Sequence, residues 1–125
     1  MRITADEARE YFSHPSQQND IDPDNLPGDP VQYWAEGGVC GMFHPSFWPG
    51  VWMGHYAVKP EVWGKTIEPA KAILREFWEA ARPQLIIGWT DQNNRQALKF
   101  ARRLGFKEIG TMRNGVVTQE WTPWV

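Results

Sequence analysis

Asn93–Phe106, NNRQALKFARRLGF, is the stretch whose reading decides the fold of this 125-residue chain. It reads as one helix that stops abruptly. Asn93 or Asn94 can cap its start, because a short polar side chain accepts from the free N–H groups of a first turn. Ala97, Leu98, Ala101 and Leu104 form an apolar stripe at helical spacing, with Phe100 beside it. Lys99, Arg102 and Arg103 occupy the second half, where cations suit the helix dipole. Gly105 supplies the left-handed residue of a C-cap, and Phe106 can fold back onto the last turn. Strand-like runs flank the helix: Leu85–Trp89 before it and Phe106–Met112 after it.

Downstream, Asn114-Gly115 is a strong hairpin signal, so Phe106–Met112 should pair with Val116–Trp121. Upstream, Gln84–Trp89 is centred on Ile86-Ile87, and Pro83 ends a preceding helix over Glu68–Ala81. That helix has Thr66 as a cap candidate and Pro69 in its first turn. Its buried side should carry Ala70, Ile73, Leu74, Phe77 and Ala81. Val51–Val58 reads as a strand covered on both faces, with Trp52, Tyr56 and Val58 on one side. Val51, Met53, His55 and Ala57 fall on the other. His44–Gly50 is a proline-rich loop, Val39–Phe43 a strand, and Val31–Glu36 another, joined by the Gly37-Gly38 turn. Ser13–Pro30 holds four prolines and reads as irregular. Thr4 followed by Glu7 is a capping box for a helix over Ala5–Phe12, and Arg2–Thr4 is a short first strand.

Composition bounds the function. One domain spanning residues 1–125 is expected, with 42% hydrophobic residues to build a core. A net charge of −2 points to neither nucleic acid nor a membrane surface as partner. Cys40 is alone, which rules out an internal disulfide and fits a reducing compartment. No apolar run has membrane-spanning length, and MRITADEARE lacks the hydrophobic region of a signal peptide, so a cytoplasmic protein is expected. The three histidines are not at metal-ligand spacing, so no metal is expected. Most of the eight Trp should be buried, and Trp121 and Trp124 are candidates for a homodimer contact.

Asn94, Ala97, Gly105, Phe106 and Gly110 resemble the pattern of the GNAT superfamily of acetyl-CoA-dependent acyltransferases. The order strand, helix, three strands, helix, strand, helix, two strands is similar to that family's fold. The resemblance implies an α/β domain with a mixed, mostly antiparallel sheet. It also implies that Val51–Val58 and Gln84–Trp89 splay apart to admit the pantetheine arm of acetyl-CoA.

The family's strand-to-helix junction reads Val-x-Pro-Glu, an aromatic, then Arg-Gly-x-Gly-x-Gly. Val58, Pro60, Glu61 and Gly64 agree with it; Trp63 stands at the Arg position, and Thr66 and Glu68 at the two later glycines. Backbone of Tyr56, Ala57 and Val58 would hold pantetheine, and the N–H groups of Val62, Trp63, Gly64, Lys65 and Thr66 would hold pyrophosphate. Asn94 and Ala97 complete the cofactor contacts. A Glu68 carboxylate beside a diphosphate would cost roughly 1 kcal/mol per solvated charge pair. The family's usual acid, a Tyr four residues before Gly-Phe, is Ala101 here. His55 and Tyr56 are the substitute catalytic candidates, His55 as the base near neutral pH.

Two functions follow from the resemblance. One is an acetyl-CoA-dependent N-acetyltransferase, acting on a primary amine of a small molecule or protein by direct attack on the thioester. The other is a GNAT-fold protein without catalysis, a binding or structural component like those encoded by tailed phages. It would reside in a host cytoplasm or a virion.

Overall fold

The computed structural model describes residues 1–14 and 21–123. Seven strands form a single sheet in the order β1-β2-β3-β4-β5-β7-β6. They are β1 (Arg2–Ile3), β2 (Gln32–Glu36), β3 (Val39–Pro45), β4 (Val51–Val58), β5 (Leu85–Asp91), β6 (Lys107–Thr111) and β7 (Val116–Trp121). Three helices flank the sheet: α1 (Ala5–Phe12), α2 (Ile67–Ala81) and α3 (Arg95–Leu104). Every neighbouring pair is antiparallel except β4 and β5, which run parallel.

The local signals act as the sequence indicates. Thr4 accepts the Glu7 N–H at 3.1 Å while Glu7 accepts the Thr4 N–H at 3.0 Å, closing the capping box. Asn94 caps α3, and Gly105 ends it in the left-handed conformation. The α2 stripe of Ala70, Ile73, Leu74 and Phe77 is fully buried. It packs on Val39 and Phe43 of β3 and Ile86 of β5, joined by Leu104, Phe106 and Trp121. On the opposite face, Ala8 and Phe12 of α1 cover Tyr33, Cys40, Met42 and Ala57. Each sheet face thus has its own cover: α1 on one, α2 and α3 on the other.

Two expectations need correction. His44 and Pro45 belong to β3 rather than to a loop, because the register with β4 continues through Pro45 opposite Trp52. Trp121, expected at a contact surface, is buried and donates its indole N–H to Leu104 O at 3.0 Å, capping the end of α3. Trp124 lies outside the described residues. Helix α2 ends at Ala81, as expected, and Arg82 follows in a left-handed conformation (φ 49°) just before Pro83.

Phe77 is the keystone of the α2 face. Its ring stacks on Phe43 at 4.1 Å, and Trp52 meets its edge at 5.1 Å. Phe77→Ala is expected to lower unfolding stability by about 3–5 kcal/mol in a urea titration.

Candidate active site

The sheet opens between β4 and β5. Only Val51↔Leu85, Trp52↔Ile86 and Met53↔Ile87 are paired. Beyond them β5 turns away and pairs with β7 from Ile86 to Asp91. The backbone of β4 from Gly54 to Ala57 therefore faces a gap on that side. A buried polar backbone without a strand partner needs another partner. The opening lies where the expected splay was drawn.

At the mouth of this gap, Lys59–Thr66 makes a compact turn. Val62 N–H donates to Lys59 O at 3.1 Å, Trp63 N–H to Pro60 O at 3.2 Å, and Lys65 N–H to Val62 O at 2.9 Å. The Val62 side chain packs against Gly38, where a Cβ would meet Val62 Cγ1 at 2.8 Å. Gly64 has φ 89° and open space around it. These turn bonds change which N–H groups can serve a ligand. Val62, Trp63 and Lys65, assigned to pyrophosphate from the sequence, spend theirs locally. The N–H groups of Gly64, Thr66, Ile67 and Glu68 make no hydrogen bond among the described residues. Four backbone donors at an uncapped helix start form an anion-binding arrangement.

The Trp63 and Glu68 side chains both lie in solvent. The Trp63 side chain points outward, with the residue 62% exposed, so it does not fill the gap. The Glu68 carboxylate lies in solvent and reaches toward Lys71 at 4.0 Å. Asn94 is half-buried, and its Oδ1 accepts the Ala97 N–H at 3.2 Å. Ala97 lies in that first turn of α3. Ala101 is partly buried in the core, with no acidic group to offer.

His55 and Tyr56 are adjacent on β4 and therefore point to opposite faces. Tyr56 lies under α2 and α3, its ring against Phe43 and Phe100. Its hydroxyl donates to Ala70 O at 3.4 Å. Burial raises its pKa well above the usual phenol range, so it stays protonated. His55 is on the α1 face, where its Nε2 lies 2.9 Å from His44 Nε2 and the two rings stack. His44 Nδ1 lies 3.2 Å from Pro45 O. A carbonyl only accepts, so with both rings neutral His44 carries its proton on Nδ1. His44 Nε2 then accepts from His55 Nε2–H, and the His55 lone pair is on Nδ1. Burial, with His44 as the lesser cause, lowers the His55 pKa to about 4. The His44 partnership escaped the sequence reading; the legible signal was the antiparallel register, which sets the two residues diagonally across β3 and β4.

Cys40 is buried, its thiol pushed up to about 12 by desolvation, and it is inert as a nucleophile. Among the described residues no cluster of three or more metal-binding side chains occurs, and no helix is long and apolar enough to cross a membrane. A cavity of about 440 Å³ lies at the β1–β2 edge beside Glu7, Glu10, Tyr11 and Glu36. Another, of about 250 Å³, separates α2 from α3.

The sequence profile of the acetyltransferase (GNAT) domain matches residues 2–107. No curated protein matches at a significant level. Solved structures share the fold. A GNAT-family protein from Desulfovibrio desulfuricans is similar at TM-score 0.74 and 14% identity, over 97% of this chain and 96% of that one. AAC(6')-Ib in complex with paromomycin and acetyl-CoA is similar at TM-score 0.71 and 14% identity, over 98% and 92%. A GNAT acetyltransferase from Bacillus anthracis is similar at TM-score 0.57 and 16% identity; the match covers 66% of this chain and spans 57% of that protein's length.

The lowered His55 pKa sets a pH dependence. Between about pH 4 and 6.5 the unfolded chain binds a proton at this residue that the folded chain does not. Stability is therefore full above pH 6.5 and falls as pH drops toward 4, by roughly 3 kcal/mol in total. Unfolding measured at pH 5 and pH 7 should show this slope in the native chain and a flatter one in His55→Gln.

Proposed function

The chain belongs to the GNAT acetyltransferase family, and from that premise we propose that it moves the acetyl group of acetyl-CoA to a primary amine by direct attack on the thioester. The observation that carries this reading is the three-pair limit of β4–β5 contact, with unengaged N–H groups of Gly64, Thr66, Ile67 and Glu68 at its mouth. The pantetheine arm bears amides, which suit the β4 edge from Gly54 to Ala57, where no pairing to β5 occurs. The pyrophosphate suits the α2 start, with Lys65 as the nearby cation and Asn94 beside the arm.

The opposed directions of His55 and Tyr56 fit an addition of the amine to the thioester carbonyl followed by loss of the thiolate, with base and acid acting from different sides. With the thioester in the gap, the amine arrives from the α1 face. With its pKa lowered to about 4, His55 is a weaker base than the sequence suggested, and its Nδ1 takes the proton that the nitrogen loses only after the C–N bond has formed and made that proton acidic. The C–S bond breaks, and the thiolate leaves toward the α2–α3 face, where the Tyr56 hydroxyl can protonate it. Charge supports this sidedness. Residues 1–36 carry eight Asp and Glu against two Arg, whereas the rest carries seven acids against eleven Lys and Arg. An acidic α1 side attracts an ammonium-bearing acceptor, small molecule or protein, and a basic α2–α3 side attracts the phosphorylated donor.

A second reading keeps the acetyl-CoA site without turnover. Ala101 favours it, because the usual acid is missing and Tyr56 is enclosed.

Acetyl-CoA at 100 times its dissociation constant should add about 2.7 kcal/mol of stability, roughly 10 °C in melting temperature. An unchanged melting curve at millimolar acetyl-CoA would sink both readings. Thiol release with an amine panel separates them. In the catalytic case His55→Gln loses about 10²–10⁴-fold in kcat while keeping the acetyl-CoA stabilisation. A silent panel with an intact shift supports binding alone.

A further inference from the structure

We propose that the groove between α2 and α3 is a phosphate-binding site separate from the start of α2. Lys71 and Arg75 of α2 face Arg102 and Arg103 at the end of α3 across a cavity of about 250 Å³, with Trp121 in its lining. That volume admits a phosphate group with part of its hydration.

The four cations are under-compensated. Arg102 pairs with Glu108 at 2.7 Å, and Lys71 only approaches Glu68 at 4.0 Å. Arg75 and Arg103 make no ion pair among the described residues. The α3 dipole accounts for Arg102 and Arg103 in that helix's last turn. It does not account for Lys71 and Arg75, which sit in the body of α2. Four like charges around one groove repel one another unless an anion bridges them. Guanidinium groups present paired donors that match phosphate oxygens, and two of the four cations are unengaged guanidiniums. On the floor, the Trp121 indole N–H already occupies Leu104 O at 3.0 Å.

The recognised chemistry is a phosphate group, free or carried on a nucleotide. Nothing in this inference requires acetyl-CoA to bind. Its test is a titration of the whole chain with inorganic phosphate against chloride at constant ionic strength, followed by nitrogen-15 NMR at backbone amides and arginine Nε–H groups. A parallel titration uses adenosine 3′,5′-bisphosphate. Saturable shifts are expected at Arg75, Arg103 and Gly105. Arg75→Gln combined with Arg103→Gln should weaken binding about tenfold or more. Lys107→Gln, an exposed cation outside the groove, should leave it within twofold. Tighter binding of the bisphosphate supports a nucleotide source, and equal binding supports free phosphate. Shifts that chloride reproduces, or shifts confined to the Gly64–Glu68 amides, overturn the proposal. The second result would leave the acetyl-CoA reading intact.

Discussion

The structure turns on one allocation of backbone hydrogen bonds. Strand β5 can satisfy its far edge along its length only by following β7, and it does so from Ile86 to Asp91. Following β7 takes it away from β4 after Met53. A sheet interior normally has no room for such a loss, since unpaired backbone in a dry environment costs as much as a missing hydrogen bond. Here the loss falls on the stretch of β4 beyond its three pairs with β5. The opening is thus the remainder left when two strands choose different neighbours.

Helix placement follows from the same choice. The crossover between parallel strands β4 and β5 must carry α2 over one face, and the next connection carries α3 over that face too. Only α1 remains for the other. Because acids concentrate in the first 36 residues and cations in the rest, this division of helices also divides charge across the sheet. Neither composition nor net charge reveals the division, because the two halves nearly cancel.

Local signals were the most legible part of the sequence. The Asn94 cap, the Gly105 stop, the Thr4–Glu7 box and the α2 stripe each depend on residues within a few positions of one another, and each formed. The neighbouring of β4 and β5, and their parting, came through the family resemblance. Long-range consequences were harder to read. The His44–His55 contact depends on how far β3 extends past Phe43, which a Pro45 in the sequence argues against. The outward turn of Trp63 depends on hydrogen bonds among Lys59, Pro60 and Val62 that no composition rule specifies. Trp121 looked like surface because its partner, Leu104 O, lies 17 residues away.

The replaced glycines at the α2 start show why motif mismatch and lost geometry are different matters. A glycine is demanded by the backbone only where φ is positive, and in this loop that is Gly64 at 89°. Thr66 has φ −101° and ψ −19°, which any L residue adopts without strain. Glu68 is already helical, and its side chain leans outward to Lys71. The conformation that aims the N–H groups therefore survives with Thr and Glu in place of glycine. What those substitutions change is the clearance above the donors and the local charge. Any cost to an anion there is one of approach and repulsion, with the backbone arrangement itself retained.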